Sequence, residues 1–217
     1  MSDAADTNAA YQRRRWYEDP RPVIYCVVEL KCDGGDPRRN SIRSLAAVAV
    51  VESGQKMAAF SVNLLAVEGA VTDKRTMELY REHPEAWRIN TADPQRPSVA
   101  TVAFATWVKS LPGQTVIVGS PLSLTAVWLD HYLRRFTPHS VYRGPFVTEP
   151  LFYGPGLDLS TLVMGVTGRH YRETPDHLLP VEWRGGQPET HRAADDANRH
   201  AELLCSLLKL KAQQQAL

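Results

Sequence analysis

A chain of 217 residues with 43% hydrophobic and 23% charged residues has the composition of a folded globular protein, long enough to bury the core of one domain. Its 25 basic and 24 acidic side chains leave a net charge of +1, which excludes a global electrostatic pull toward nucleic acid and leaves only local patches to argue from. No apolar run reaches the about 18 residues that a membrane span requires, and the polar N-terminus lacks a signal-peptide core, so no membrane partner is expected and the expected compartment is the cytoplasm. Cys26, Cys32 and Cys205 are odd in number and lack the spacing of a zinc or redox pair, so they read as reduced thiols. The basic runs "RRR" (13–15) and "HYLRRF" (131–136) read as a solvated tail and the outer face of a helix.

Residues 1–20 show no hydrophobic periodicity and end in "EDPRP", so a disordered tail is expected there, with a domain over 21–211 and a frayed end over 212–217. "VIYCVVELK" places Ile24, Cys26, Val28 and Leu30 on one face and Tyr25, Val27, Glu29 and Lys31 on the other, which predicts a central strand covered on both sides. "DGGDPRRN" predicts a turn, "SIRSLAAVAVV" a second strand, "ESGQ" a tight connection and "KMAAFSVNLL" a third strand, together an antiparallel meander. Helical spacing follows in "RTMELYREHPEAWRIN" and in "PSVATVAFATWVKSL", the latter with Val99, Val102, Ala103, Trp107 and Leu111 on or near one face and Pro97 in its first turn. "QTVIVGS" predicts a short buried strand, "LSLTAVWLDHYLRRF" a helix, and "LDLSTLVMGVTG" another helix ending near Gly168. After a Pro- and Gly-rich loop over about 172–188, "HRAADDANRHAELLCSLLKLKAQQQ" predicts a long amphipathic helix with Ala193, Ala197, Ala201, Leu204 and Leu208 in a stripe. Meander strands followed by alternating helix and strand predict an α/β layered domain with a mixed sheet.

The segment richest in chemistry is "ETHRAADDANRHAELL". A histidine at a helix entrance and an aspartate five residues later, His191 and Asp196, can bring a general base and a metal-binding carboxylate to one site; they can equally be a packed histidine and an acidic first turn favourable to the helix dipole. Other candidates have simpler readings. Asp33 and Asp36 beside Gly34 and Gly35 fit turn chemistry, and Trp87, Trp107, Trp128 and Trp183 fit packing better than base stacking.

In their order along the chain, the carboxylate ending the first strand, the helix after the later apolar strand and the H-x-x-x-x-D opening the last helix resemble the DEDDh 3′–5′ exonucleases of the DnaQ-like, ribonuclease-H-like superfamily. The resemblance covers roughly residues 23–208, including "DGGDPRRNSIRSLAAVAV", "VNLLAVEGAVTDKRTMELYREHPEAW", "LDLSTL" and "HRAADDA". It implies a ribonuclease-H-like domain with a mixed five-stranded sheet, three antiparallel strands first, flanked by helices. It also implies a site in which a D-x-E on the first strand, an Asp on the middle helix and the last-motif Asp hold two divalent metals, with the His activating water. Carried over by position, Glu29 stands at the first acid, Lys31 at the second, Thr125 at the middle Asp, and His191 and Asp196 at the last motif. Asp130 lies five residues, a rotation of about 140°, from Thr125 and does not replace the missing acid.

An ammonium where a Mg²⁺ ligand belongs removes one negative charge and adds a positive one; two unit charges at ~4 Å interact by about 4 kcal/mol at an effective dielectric of 20. The expectation is a degenerate exonuclease-like protein that binds single-stranded nucleic acid or a 3′ end, or acts in regulation, without two-metal hydrolysis. Lys31 then neutralises Glu29 and Asp196 and no cofactor is needed. A plain strand-end ion pair, worth under ~1 kcal/mol in water, is the simpler alternative for Glu29 and Lys31. Two further readings differ in kind: an active exonuclease with one Mg²⁺ or Mn²⁺ held weakly by Glu29 and Asp196 and His191 as base, and a structural module whose partner is another protein or a second copy.

Overall fold

The computed structural model describes residues 19–142 and 149–216. Almost all of the expected N-terminal tail, with "RRR", lies outside the described residues, as does the segment 143–148.

The apolar alternation of the first segment produces β1 (Val23–Cys32), flanked by antiparallel β2 (Ile42–Val51) and parallel β4 (Gln114–Gly119). Strand β3 (Gln55–Asn63) pairs antiparallel with β2, and the short β5 (Leu157–Asp158) pairs parallel with β4, so the sheet order is β3-β2-β1-β4-β5. The helices are α1 (Lys74–Glu82), α2 (Pro84–Asn90), α3 (Pro97–Ser110), α4 (Leu122–Phe136), α5 (Leu159–Thr167) and α6 (Ala193–Gln215). Among the described residues no helix is long and apolar enough to cross a membrane.

The two faces of β1 feed two cores, as its alternation predicts. Cys26 and Val28 pack with Phe104 and Ala105 of α3 and Trp128 and Leu129 of α4. Val27, with Ala46 and Val48 of β2, packs against Leu159 and Val163 of α5 and Ala197, Ala201 and Leu204 of α6. Glu29 and Lys31 continue the face of Val27, so they meet α6, and the start of that helix decides what surrounds them.

Three details differ from the sequence expectation. The helical run over 75–90 is broken into α1 and α2 at His83, because Pro84 cannot continue the first helix and sits at the first turn of the second. In α3 the expected apolar face is rotated: Val99 and Val102 are exposed, while Ala100, Thr101, Phe104, Ala105 and Val108 are buried. The sheet buries the side that carries Phe104, and the two valines are left outside. Finally, Leu157 and Asp158 add an edge strand before α5, which ends where Gly168 takes the left-handed conformation (φ 68°). Helix α6 runs through Gln215, the end of the helical run expected for it.

Candidate functional site

The turn after β1 fixes the end of the site strand. The Asp33 carboxylate accepts the Ser41 N–H (2.5 Å) and faces Arg43 (3.5 Å), and Asn40 Oδ1 accepts the Asp36 N–H (2.9 Å). A Cβ on Gly34 would fall within 2.4 Å of the Asn40 amide group, so only glycine fits there. Asp33 and Asp36 therefore serve the turn, as their sequence context suggests.

The start of α6 is set from α2. Asn90 is buried at the end of α2, donates Nδ2–H to the His191 carbonyl (2.8 Å) and accepts the Ala193 N–H on Oδ1 (3.1 Å), so one side chain holds both sides of the helix start. Asp196 Oδ1 accepts the Thr190 N–H (3.2 Å), folding the approach segment back over the first turn. Between these anchors His191 adopts a left-handed backbone (φ 58°), an uncommon conformation for a residue with a Cβ.

Asp196 is thereby aimed at β1. Lys31 Nζ lies 2.8 Å from Glu29 Oε1 and 2.8 Å from Asp196 Oδ2, with all three side chains largely or wholly buried. The ammonium occupies the space between the two carboxylates. Burial works against the charge of Glu29, but the Lys31 ammonium and His200 outweigh it and hold its pKa at about 2. Burial likewise opposes the charge of Lys31, yet Glu29 and Asp196 raise its pKa above the ordinary lysine value.

Three residues that the sequence reading did not single out complete the cluster. One helical turn beyond Asp196, Arg199 approaches it (Nε to Oδ1, 3.7 Å) and bonds to Asp176 Oδ2. His200 Nδ1 lies 3.3 Å from Glu29 Oε2, and its Nε2 lies 3.9 Å from Asp176 Oδ2. Asp176 belongs to the Pro- and Gly-rich strap between α5 and α6, where Arg184 also faces it (Nε to Oδ1, 3.5 Å). Glu29, Lys31, Asp196, Arg199, Asp176 and His200 thus form a closed ring across β1, α6 and the strap. Arg199 and His200 carried a signal in the sequence, since D-x-x-R-H puts them at i+3 and i+4 from Asp196 on one helix face. Asp176 carried none, because no periodicity relates a loop residue to a strand over a hundred positions away.

His191 and Thr125 stand apart from this ring. The His191 ring packs on that of His83 (4.1 Å between centroids), and its Nδ1 lies 3.4 Å from Glu189 Oε1. Among the described residues it is not a partner of Glu29, Lys31 or Asp196. Thr125 is buried on α4, where its hydroxyl turns back to the Pro121 carbonyl (3.3 Å) and packs close to Gly119 at the end of β4. Asp158 caps α5 by accepting the Thr161 N–H and also accepts the Leu122 N–H, a structural role. Asp130 is likewise engaged, with the Val141 N–H and Arg134.

The family pattern implies divalent metals, and these side chains do not fit a pair of them. Lys31 already ion-pairs with both carboxylates that would be ligands, and Thr125 brings a hydroxyl already turned to its own helix. Among the described residues no group of three or more His, Cys, Asp and Glu side chains is gathered so as to hold a metal ion.

No protein-family model and no curated protein matches the chain. Solved structures do. The nuclease domain of 3′hExo, a DEDDh family member, bound to rAMP, is similar over 88% of this chain and 94% of its own, with a TM-score of 0.61 at 10% identity. A 3′-exonuclease in 3′-end specific recognition of a histone mRNA stem-loop gives 0.61 at 8% identity, over 88% of this chain and 84% of that one. Exonuclease I of E. coli in complex with a dA16 oligonucleotide gives 0.63 at 11% identity, over 88% of this chain, which spans only 42% of that enzyme. At such identities the likeness is one of fold: the chain has the ribonuclease-H-like α/β fold of the DEDDh 3′-exonucleases, with its mixed five-stranded sheet.

Proposed function

We propose that this chain is a degenerate 3′–5′ exonuclease-like protein, which binds single-stranded nucleic acid or a 3′ end without hydrolysing it through two metals. The observation that carries the reading is the Lys31 ammonium at 2.8 Å from both Glu29 and Asp196. Two unit charges ~4 Å apart at an effective dielectric of 20 repel by about 4 kcal/mol, and the repulsion between Lys31 and a divalent ion in the same pocket is about twice that. Lys31 takes the role of internal counter-ion, and the acids keep a structural use. The nucleic-acid part rests on the neighbours, since E. coli Exonuclease I is seen with dA16 and dT13 oligonucleotides and the 3′-exonuclease with an RNA stem-loop.

The test is incubation of a 3′-labelled single strand with Mg²⁺ or Mn²⁺. The expected outcome is a strand of unchanged length for the wild-type chain. Shortening that His191→Ala abolishes would overturn the reading in favour of an active enzyme. The variant Glu29→Asp/Lys31→Glu/Thr125→Asp restores the family's acids, and digestion by it alone would place the loss of activity at those three positions.

A further inference from the structure

Five residues before Asp176, the strap holds an aromatic ring in water on a pinned turn. Tyr171 is 60% exposed, the highest value among the large apolar side chains described, and it opens the 3-10 turn Tyr171–Glu173. Its backbone is fixed on both sides. His170 Nδ1 accepts the Arg172 N–H (3.2 Å), the Glu173 carboxylate reaches back to the His170 N–H (3.1 Å), and the hydroxyl of the buried Thr174 donates to the Tyr171 carbonyl (2.8 Å). Burial gives the fold little at this ring, since most of it stays wet. A ring on an ordered turn is, however, in place before a ligand arrives, which removes part of the entropy cost of binding one. The flanking charges say what kind of ligand fits. The Arg169 guanidinium lies over the Trp183 ring (5.9 Å to its centroid), and Trp183 packs on the core between α5 and α6, so Arg169 is held in position. Arg172 is exposed, and among the described residues neither arginine pairs with a carboxylate. Glu173, the acid of the turn, is bonded to the His170 N–H. An aromatic face between two unpaired guanidinium groups matches a nucleotide, whose base has a π-face and whose flanking phosphates are anionic.

We propose that Tyr171 is a stacking platform for one base of a single strand, with Arg169 and Arg172 on the phosphates to either side. The proposal rests on the reading of this chain as a single-strand binder and adds the path of the strand, which runs over the strap. Five residues of chain span at most about 18 Å, so the platform stands within that distance of the Asp176 backbone, beside the ring of charges around Lys31. Stacking of this kind tolerates any base, because every base has a π-face, and the platform contributes affinity without sequence preference.

The experiment is fluorescence anisotropy of a single-stranded oligonucleotide with the full chain, repeated across salt concentrations. Tyr171→Ala is expected to weaken binding about tenfold with an unchanged salt slope, because it removes a stacking face and no charge. Tyr171→Phe keeps the face and is expected to bind as the wild type does. Arg172→Gln is expected to make the slope shallower by about 0.7, the share of one phosphate. Equal affinity of Tyr171→Ala and the wild type overturns the platform and leaves the single-strand reading standing, whereas absence of binding by the wild type removes both. Should Tyr171→Ala not fold, photocrosslinking of a strand carrying 5-iodouracil to the wild-type chain decides: an adduct on Tyr171 supports the platform, and adducts on other residues alone overturn it. Self-association that Tyr171→Ala abolishes in sedimentation, with oligonucleotide affinity unchanged, also overturns it and assigns the exposed ring to a second copy of the chain.

Discussion

At Lys31 two large free energies oppose each other. Taking an ammonium and a carboxylate out of water costs several kcal/mol per ion, and only close pairing offsets it. The position between Glu29 and Asp196 supplies that pairing twice, which is why Glu29 is held at about 2 in spite of its burial. A carboxyl whose folded-state pKa lies below its ordinary 4.5 contributes stability that is present above that value and lost as pH falls toward about 2. A depression of this size corresponds to about 3 kcal/mol. Lys31→Met leaves two carboxylates without their shared cation, and loss of one partner of a buried pair costs about 3–5 kcal/mol. Urea unfolding from neutral to acid pH is expected to show the wild-type loss between 4.5 and 2, and in Lys31→Met a lower midpoint at neutral pH with that acid loss diminished, because protonating the unpaired acids relieves the cost of their burial. Equal stability at neutral pH would remove Lys31 from the role of counter-ion.

Among the elements, α6 does most to assemble the site. Its stripe of Ala193, Ala197, Ala201 and Leu204 was legible as a buried face, and the small residues let it lie against β1 and β2. Its start was legible to within two residues, but what holds it there was not, because Asn90 lies over a hundred residues earlier. Asn90→Ala leaves the Ala193 N–H and the His191 carbonyl unmatched in a buried setting, a loss of about 1–3 kcal/mol. Urea denaturation at neutral pH checks this, and an unchanged midpoint would mean that Asn90 is not what fixes the helix start. The face of α3 shows the opposite failure. Val99 and Val102 look like core residues by type, but the stripe through Ala100, Phe104 and Val108 is the one that the sheet covers.

For the whole molecule, a net charge of +1 means that any affinity for nucleic acid must come from local groups on one side of the fold. Binding of a single-stranded oligonucleotide, followed by fluorescence anisotropy, is therefore expected to weaken as salt rises, with a slope of about −0.7 for each phosphate neutralised. Absence of binding, or binding with no salt slope, would leave the fold without its proposed ligand.

The sequence by itself determined the order and type of the main elements and the two faces of β1, because alternation and helical spacing act within a few residues and the apolar core obeys them. It also placed Glu29, Lys31 and Asp196 together, through motifs in an order that resembles one fold. Only the tertiary structure decided that Lys31 bridges both acids, that Arg199, His200 and Asp176 close the ring, and that His191 turns to His83 instead. Those outcomes depend on the path of the strap and on the backbone of His191 between its anchors. Both are set by contacts between segments far apart in the chain, and such contacts leave no local period to read.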